Sequence, residues 1–316
     1  MDKTWANVGI VGCGHIYNDG HKKTFLHPAS TNNAVIAFCD PDEKRAKDAL
    51  SWVKKGYQKL LKTAKKQSKT AEVERLTFAF DHLKTYTSLE QMLDDLEGTL
   101  DVIDNCTPGR LHIPLSVQAM QRGVHAMAEK PPGLNWWDVK RAVVAEQETG
   151  KHYELLECVC YDRPIQQCRK VIEDGVLGKI LEMSVPYGHG GPYIPYFFPP
   201  SGLPHFIDPL WAGGGCVQDL APHGISKGLW SVGPGVRAVS CETAKLERRK
   251  KPRVMSRKPF DSNVDDWAEA DLEVYDPRTD SNFEMHVVTS WCGGLAFGFS
   301  IEGENGLLLI DKDHPV

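Results

Sequence analysis

The first 160 residues alternate between short apolar runs and helix-like segments, and this alternation constrains the fold more than any other feature. Apolar runs occur at NVGIVGCG, AVIAFCD, TLDVIDNCTP, VHAMAEKPP and HYELLECVCY, with helical patterns between them. Strands that alternate with helices form a parallel sheet covered by helices on both faces. The sequence therefore predicts an α/β, doubly wound (Rossmann) sheet domain over residues 1–160.

The pattern changes after residue 160. One helix is predicted at RPIQQCRKVIEDGVLGK, and strand-like segments follow with few helices between them: ILEMSVPYG, VRAVSCETAKL, AEADLEVYD, NFEMHVVTSW and LAFGFSIEG. Closely spaced strands of this kind indicate an α+β domain with a large open, mostly antiparallel sheet. Two domains, 1–160 and 161–316, also suit a chain of 316 residues.

Composition restricts the partners and the compartment. A net charge of -5 gives no electrostatic reason to expect nucleic acid or an acidic membrane. No apolar run reaches the roughly 20 residues of a membrane helix, and the N-terminus lacks the pattern of a signal peptide. The nine cysteines lack metal-type spacing, so we expect no metal site and mostly buried free thiols, as at Cys13, Cys39, Cys106 and Cys241. A cytoplasmic enzyme is expected.

A glycine pair follows the first predicted strand, in GIVGCGHIYNDGH. Gly12 permits a tight turn, and Gly14 allows a pyrophosphate to approach the backbone at the start of the next helix, where His15 and Ile16 lie. Tyr17 stands where a small residue usually completes the motif, so we expect its ring to lie beside or beneath the helix, away from the pyrophosphate. The strand–turn–helix context predicts a dinucleotide site.

Asp40 ends the second predicted strand. A carboxylate at this position can accept hydrogen bonds from the adenosine ribose hydroxyls, and it repels a 2′-phosphate. The predicted cofactor is therefore NAD rather than NADP.

Two further stretches carry candidate catalytic residues. AEKPPG ends the fourth predicted strand, and ligands of doubly wound sheets bind at the carboxyl ends of strands, so Lys130 is expected to point into the cofactor cleft. GGGCVQDLAPHGI places Asp219 and His223 four residues apart, on one face if the segment is helical. A carboxylate beside an imidazole can set a general base, although such pairs also occur on helix surfaces.

Taken together and in this order, these features resemble the glucose–fructose oxidoreductase / inositol dehydrogenase / MocA-like (Gfo/Idh/MocA) family over nearly the whole chain. The matching features are GIVGCGHI, His21, Asp40, NCTPGRLH, EKPPG, YDRP, VIEDGVLGKI, GGGCVQDLAPHGI and GENGLLLI. The combination is specific for the fold and the cofactor, and much less so for the substrate.

The resemblance implies an NAD-dependent oxidoreductase acting on a secondary hydroxyl of a sugar, glycoside or polyol. His223 would take the hydroxyl proton, Lys130 would hydrogen-bond the same oxygen, and Asp219 would orient the pair while hydride passes to C4 of the nicotinamide. The implied cofactor-site residues also include Thr107, Pro108, Glu129 and His112, the last with an equal structural alternative. Candidate substrate contacts are Tyr161, Tyr187, His205 and Trp211.

The sequence departs from the family pattern in four places. Tyr17 replaces the third small residue, and Ser226 stands where many members have an acid. The loop GPYIPYFFPPSG is long and aromatic, which suits either stacking on a sugar or a subunit interface. The chain stops at DKDHPV, before the strand and terminal helix that members usually add, so we expect either a truncated chain or a shorter branch.

Two other functions remain as alternatives. One is a lyase or glycosidase that uses tightly bound NAD for transient oxidation, with a similar set of catalytic residues. The other is a non-catalytic dinucleotide-binding regulator, against which the joint presence of Lys130, Asp219 and His223 argues. Whatever its activity, we expect the protein to form a homodimer or homotetramer through the second domain. An open sheet with an exposed apolar face needs another surface to cover it.

Overall fold

A six-stranded parallel sheet organises the first part of the molecule, in a computed structural model that describes residues 4–191, 207–248, 253–255, 258–260, 263–293, 295 and 298–310. The strands are β1 Ala6–Val11, β2 Asn33–Cys39, β3 Lys84–Tyr86, β4 Val102–Asn105, β5 His125–Glu129 and β6 Tyr153–Leu156, in the order β3-β2-β1-β4-β5-β6. The predicted Rossmann sheet is confirmed. The three-residue β3 has no apolar run, which is why the sequence pattern misses it.

Five helices connect these strands: α1 Glu43–Lys66, α2 Thr70–Asp81, α3 Leu89–Asp95, α4 Gly109–Gln121 and α5 Trp136–Thr149. The central strands β1 and β2 are largely apolar on both sides, and the residues of β2 from Ala34 to Phe38 are fully buried. The strand order reverses between β1 and β4, so their carboxyl ends border the crevice in which ligands of such sheets bind.

A second sheet organises the rest of the chain. Its strands are β7 Ile180–Gly188, β8 Arg237–Glu247, β11 Trp267–Asp276, β12 Ser281–Ser290, β13 Phe299–Gly303 and β14 Gly306–Ile310, while β9 Arg253–Met255 and β10 Lys258–Phe260 form a separate hairpin. The six strands lie in the order β14-β13-β7-β12-β11-β8, and only the pair β7 and β12 is parallel. This confirms the predicted open, mostly antiparallel sheet.

Helices α6 Arg163–Glu173 and α8 Cys216–Val232 cover one face of this sheet, and the short α7 Pro209–Ala212 precedes α8. Two glycines let α8 approach β7 closely: a Cβ at Gly224 would lie 2.7 Å from the carbonyl oxygen of Val185, and one at Gly228 would lie 2.6 Å from Sδ of Met183. This close packing fixes the helix that carries Asp219 and His223.

The opposite face of the sheet carries a row of four glutamates. Glu302 pairs with Glu182, Glu182 with Glu284, and Glu284 with Glu273, on four neighbouring strands. The prediction of an exposed apolar face is therefore wrong at the centre of the sheet, because alternate residues of these strands place carboxylates there.

The chain divides into two compact units, Met1–Leu156 and Glu157–Val316, four residues before the boundary expected from the sequence. All nine cysteines are free. Cys13, Cys39 and Cys106 are buried as expected, but Cys241 is exposed because β8 is the edge strand of its sheet. No helix in the described part of the chain has the length and apolar character needed to cross a membrane.

Candidate active site

The glycine turn after β1 is shaped by close contact with the end of β4. Gly12 has φ +88, and a Cβ there would lie 2.9 Å from backbone atoms of Cys106 and Thr107, so only glycine fits. A Cβ at Gly14 would meet no atom within 4 Å. Gly14 therefore leaves open space beside the backbone, as the approach of a pyrophosphate requires.

The helix that follows the turn begins at His15 and becomes a five-residue π turn at Tyr17–His21. The N–H of Lys22 donates to the carbonyl oxygen of Tyr17 at 2.9 Å, which is the five-residue spacing of a π turn. The ring of Tyr17 is fully buried, edge-on to Phe38 at 6.1 Å between centroids. The predicted placement of the Tyr17 ring beside the helix is confirmed. Ile16 remains partly exposed.

Asp40 links the end of β2 to the glycine turn. Its Oδ2 accepts from the N–H of Cys13 and its Oδ1 from the N–H of Asp42, both at 2.9 Å. Because each carboxylate oxygen can accept two hydrogen bonds, both retain capacity for a ribose hydroxyl. The residues at Gly12, Gly14 and Asp40 thus fit a dinucleotide.

Thr107 and Pro108 form the turn between β4 and α4. Thr107 Oγ1 donates to Oδ1 of Asn105 at 2.6 Å, and Pro108 lies at the start of α4. The buried ring of His112 places Nε2 2.6 Å from the carbonyl oxygen of Thr107 and Nδ1 2.7 Å from that of Pro131. Burial lowers the pKa of His112, and a neutral imidazole donates from one nitrogen only. Only one of the two carbonyl contacts is therefore a hydrogen bond, and the burial of the ring between the turns of Thr107 and Pro131 favours the structural alternative for His112.

Glu129, at the end of β5, contacts a histidine that the sequence marked only as part of the family pattern. Nε2 of His21 lies 2.8 Å from Oε1 of Glu129, and Nδ1 lies 2.8 Å from Oδ2 of Asp104. Burial alone would lower the pKa of His21, but these two carboxylates raise it to about 10. Oε2 of Glu129 accepts from the backbone N–H of Lys130 at 3.1 Å. Asp104 was not among the predicted site residues.

A buried carboxylate in the second unit holds the start of α8. Asp265 accepts from the N–H groups of Gly215 and Val217, each at 2.8 Å. A Cβ at Gly215 would overlap the carbonyl oxygen of Asp265, which explains the glycine. Asp265 thus caps the helix from a distant part of the chain and sets the position of its first turns.

His223 has a different carboxylate partner from the one expected. Its Nδ1 lies 2.6 Å from Oε1 of Glu157, and its ring packs against Tyr187 with centroids 4.7 Å apart. Oε2 of Glu157 is buried and has no hydrogen-bond partner among the described residues. Asp219 instead accepts from the indole N–H of Trp291 at 3.1 Å, and Nε2 of His189 lies 4.0 Å from the same oxygen.

Glu157 is the main functional candidate that sequence reasoning missed. It follows β6 directly, so it stands at the carboxyl end of a parallel strand, as Asp40 and Glu129 do. That position alone makes Glu157 a candidate site residue. The i,i+4 spacing of Asp219 and His223 does not determine which carboxylate the histidine contacts.

The other candidate substrate residues lie in different surroundings. Tyr187 contacts one of the catalytic candidates, because its ring packs against that of His223. Tyr161 is 70% exposed with its ring 6.0 Å from Trp230, and Trp211 is 39% exposed in α7. Ser226 lies in α8, where its carbonyl oxygen accepts from the thiol of Cys160. His205 and most of the aromatic loop lie outside the described residues.

Family models match both units. The model described as an oxidoreductase family with an NAD-binding Rossmann fold matches residues 6–155, and the GFO/IDH/MocA C-terminal domain matches residues 165–309. The chain belongs to the Gfo/Idh/MocA oxidoreductase family, and its first unit is an NAD-binding domain.

The relatives carry names from two kinds of enzyme. The chain is 26% identical over 186 residues to a glycosyl hydrolase family 109 protein of Shewanella pealeana, which covers 58% of this chain and 35% of the relative. It is 24% identical over 241 residues to inositol 2-dehydrogenase 4 of Saccharopolyspora erythraea, covering 76% and 58%. These matches therefore span only about a third to three fifths of the relatives' own length.

Among solved structures, levoglucosan dehydrogenase in complex with NADH and L-sorbose has a TM-score of 0.70 at 20% identity, covering 98% of this chain and 74% of that one. At this identity the likeness shows a shared fold.

Proposed function

We propose that this protein is an NAD-dependent oxidoreductase that moves hydride between the nicotinamide and a secondary hydroxyl of a sugar, glycoside or polyol. The observation that carries the proposal is the pairing of His223 with the buried Glu157. His223 lies on the helix that also bears Asp219. A histidine held by a buried carboxylate is suited to take a proton, because the carboxylate stabilises the imidazolium that forms.

In this mechanism His223 accepts the hydroxyl proton at Nε2, because Nδ1 faces Glu157. Lys130 hydrogen-bonds the same substrate oxygen and stabilises its developing negative charge. When bound, NAD supplies the acceptor for the hydride, at C4 of its nicotinamide. Asp40 favours NAD over NADP, and Gly12, Gly14, His15 and Ile16 form the turn that holds the pyrophosphate, with Thr107, Pro108 and Glu129 beside the nicotinamide.

Substrate positioning falls to aromatic and polar side chains near the base. Tyr187 packs on His223 and offers a ring face to the C–H side of a sugar. Asp219, one helical turn before His223, and His189, whose Nε2 lies 4.0 Å from Oδ2 of Asp219, provide further polar groups. Tyr161, Trp211 and His205 complete the set that we propose for a glycoside or a larger substrate.

The test is a screen of the purified protein with NAD against a panel of polyols and glycosides, following NADH absorbance and product mass together. On a confirmed substrate, Lys130→Ala and His223→Ala should each lower turnover by about 10² to 10⁴. Because they act on one oxygen, the double variant should lose much less than the product of the two single losses. Near-normal turnover of His223→Ala would assign the proton to another acceptor.

A second candidate is a lyase or glycosidase that uses tightly bound NAD for transient oxidation. The relatives named glycosyl hydrolase family 109 protein, and the α-N-acetylgalactosaminidase of Tannerella forsythia at 27% identity over 165 residues, favour it. Glycoside cleavage with no net NADH, by protein that retains NAD through purification, would identify this activity. A non-catalytic regulator is less consistent with the chain, which keeps Lys130, Asp219 and His223 together.

We also propose a cytoplasmic homodimer or homotetramer joined through the second unit's sheet. Two copies facing each other across the row of Glu302, Glu182, Glu284 and Glu273 would repel, so association through this face should strengthen as salt screens the carboxylates. Light scattering at low and high ionic strength tests this. A monomer at micromolar concentration under both conditions, or a dimer that salt dissociates, would exclude this interface.

A further inference from the structure

A buried cluster of ionisable side chains lies at the carboxyl end of the first sheet. It contains His21 from the π turn, Asp104 from β4 and Glu129 from β5, with Sγ of Cys106 3.4 Å from the His21 ring. The side chain of Asp104 is almost completely buried, and those of His21 and Glu129 are mostly buried. Charged groups are rarely buried in this way unless they are paired, so the cluster needs an explanation.

The geometry determines how many protons the cluster holds. Both ring nitrogens of His21 lie 2.8 Å from a carboxylate oxygen, and an ionised carboxylate only accepts hydrogen bonds. Two such contacts require two protons between one imidazole and two carboxyl groups. The carboxylates of Asp104 and Glu129 raise the pKa of His21 to about 10 against the effect of burial, and the pKa of Glu129 is lowered beside His21 although that side chain is also buried. Both protons therefore lie on the ring, and the cluster is an imidazolium between two carboxylates with a net charge of -1.

The cluster extends to the turn that carries the proposed catalytic lysine. Glu129 holds His21 through Oε1 and the backbone N–H of Lys130 through Oε2. The chain of contacts thus runs from Asp104 through His21 and Glu129 to Lys130. On the far side of the same turn, the ring of His112 contacts the carbonyl oxygen of Pro131.

The geometry points to His21 as a positioning residue, an imidazolium that ties Glu129 to Asp104 and thereby fixes the turn bearing Lys130. The role of Lys130 rests on the proposed function, whereas the charge state of His21 does not.

The π turn at Tyr17–His21 explains how the local backbone brings His21 to the two carboxylates. One extra residue in a helical turn rotates each later side chain by about 100° around the helix axis. The hydrogen bond from Lys22 N–H to the Tyr17 carbonyl closes this widened turn, and His21 is its last residue. The same turn buries Tyr17, so the departure at the third small position and the placement of His21 are one structural feature.

A metal ion is the competing occupant of this cluster. Ligand atoms of His21, Asp104 and Cys106 lie within 4.8 Å of one another. A metal at Nδ1 would need the direction that Oδ2 of Asp104 occupies at 2.8 Å, and it would need a thiolate. Burial raises the pKa of Cys106 well above its usual value, which keeps the thiol protonated. The imidazolium therefore fits these atoms better than a metal does.

The charge state is tested by nitrogen NMR on protein labelled with ¹⁵N-histidine, with and without added NAD. The His21 signals are identified by their loss in His21→Gln. We expect both ring nitrogens to stay protonated from pH 6 to pH 9. The titratable groups around His21 are Asp104, Glu129, Cys106, Tyr17, His112 and Lys130. Deprotonation of His21 with a midpoint near 6.5 would overturn the proposal, as would stoichiometric zinc in purified protein that His21→Gln loses.

The link to Lys130 is tested by combining variants on a confirmed substrate. We expect His21→Gln to lower kcat at least about tenfold while the Kd of NAD changes less than about threefold. In the Lys130→Ala background, His21→Gln should cost little more, because the residue it positions is gone. Equal losses in both backgrounds would show that His21 acts independently of Lys130.

Asp104→Asn is the matched control, because its amide oxygen can still accept from the Nδ1–H of His21, so that the tie between residue 104 and Glu129 is kept while one charge is removed. It should retain more turnover than His21→Gln. A fall in kcat for Asp104→Asn as large as that for His21→Gln would overturn the assigned route through Glu129. If Lys130→Ala alone keeps full turnover, the proposed function fails, and the NMR result still decides the state of His21.

Discussion

Nδ1 of His223 lies 2.6 Å from Oε1 of Glu157, although 66 residues separate them in the sequence. Glu157 also begins the short turn Cys158–Tyr161, where its Oε1 accepts from the N–H of Val159 at 3.4 Å. The carboxylate is thus anchored to the backbone on one side and faces the imidazole on the other. In the proposed mechanism, Nε2 of His223 is therefore the atom that accepts the proton.

Glu157→Gln should lower turnover by about tenfold to a thousandfold while the affinity for NAD is kept. Glutamine retains the shape of the side chain but not the charge that stabilises an imidazolium. Asp219→Asn is the control, and it should cost less because Asp219 accepts from Trp291. Steady-state kinetics compare the turnover of the two variants. A larger fall in turnover for Asp219→Asn than for Glu157→Gln would indicate that Asp219 is the functional partner of His223.

Asp40→Ser should narrow the preference for NAD over NADP, because the charge that opposes a 2′-phosphate is removed. It should also weaken NAD binding, since Asp40 accepts from the N–H groups of Cys13 and Asp42. Each such bond to a charged group contributes about 1.5–3 kcal/mol. Fluorescence titration with both cofactors gives the two Kd values. Tighter binding of NADP by the unaltered protein would contradict the role of Asp40.

Tyr17→Phe should leave stability unchanged or raise it by about 1 kcal/mol. The Tyr17 hydroxyl is buried with no partner among the described residues, so its removal relieves an unsatisfied group. Tyr17→Ala should cost about 3–5 kcal/mol by opening a cavity against Phe38. Urea unfolding measures both. NAD affinity should stay within about tenfold, or ~1.4 kcal/mol, and a larger loss in Tyr17→Phe would place the hydroxyl at the cofactor.

The contribution of His21 to stability should depend on pH in one direction. The pKa of His21 is raised from 6.5 to about 10 in the folded protein by Asp104 and Glu129, against the effect of burial. A raised pKa means that the ion pairs stabilise the fold fully below pH 6.5, and that this stability is lost as pH rises to about 10. In urea, the advantage over His21→Gln should therefore shrink between pH 6 and pH 10. A constant advantage would show that packing, and not charge, holds His21.

Local sequence patterns predict much of the secondary structure of the first domain. The strands that end at Val11 and Cys39 are largely apolar runs buried on both sides, and this burial is visible directly in the sequence. The turn at Gly12 was likewise predictable, because a residue with positive φ against a neighbouring backbone has to be glycine. Asp40 and Lys130 are proposed as site residues because they lie at the carboxyl ends of strands in the same sheet.

By itself the sequence determined the alternation of strands and helices, the two-part organisation, the glycine turn and the residues that carry the family resemblance. Only the tertiary structure decided which groups meet: Glu157 rather than Asp219 at His223, and His21 between Asp104 and Glu129. It also decided that the open sheet face carries glutamates. Strand and helix periods are local properties of the backbone, whereas the partner of a buried charge depends on register and on helix rotation between segments far apart in the chain.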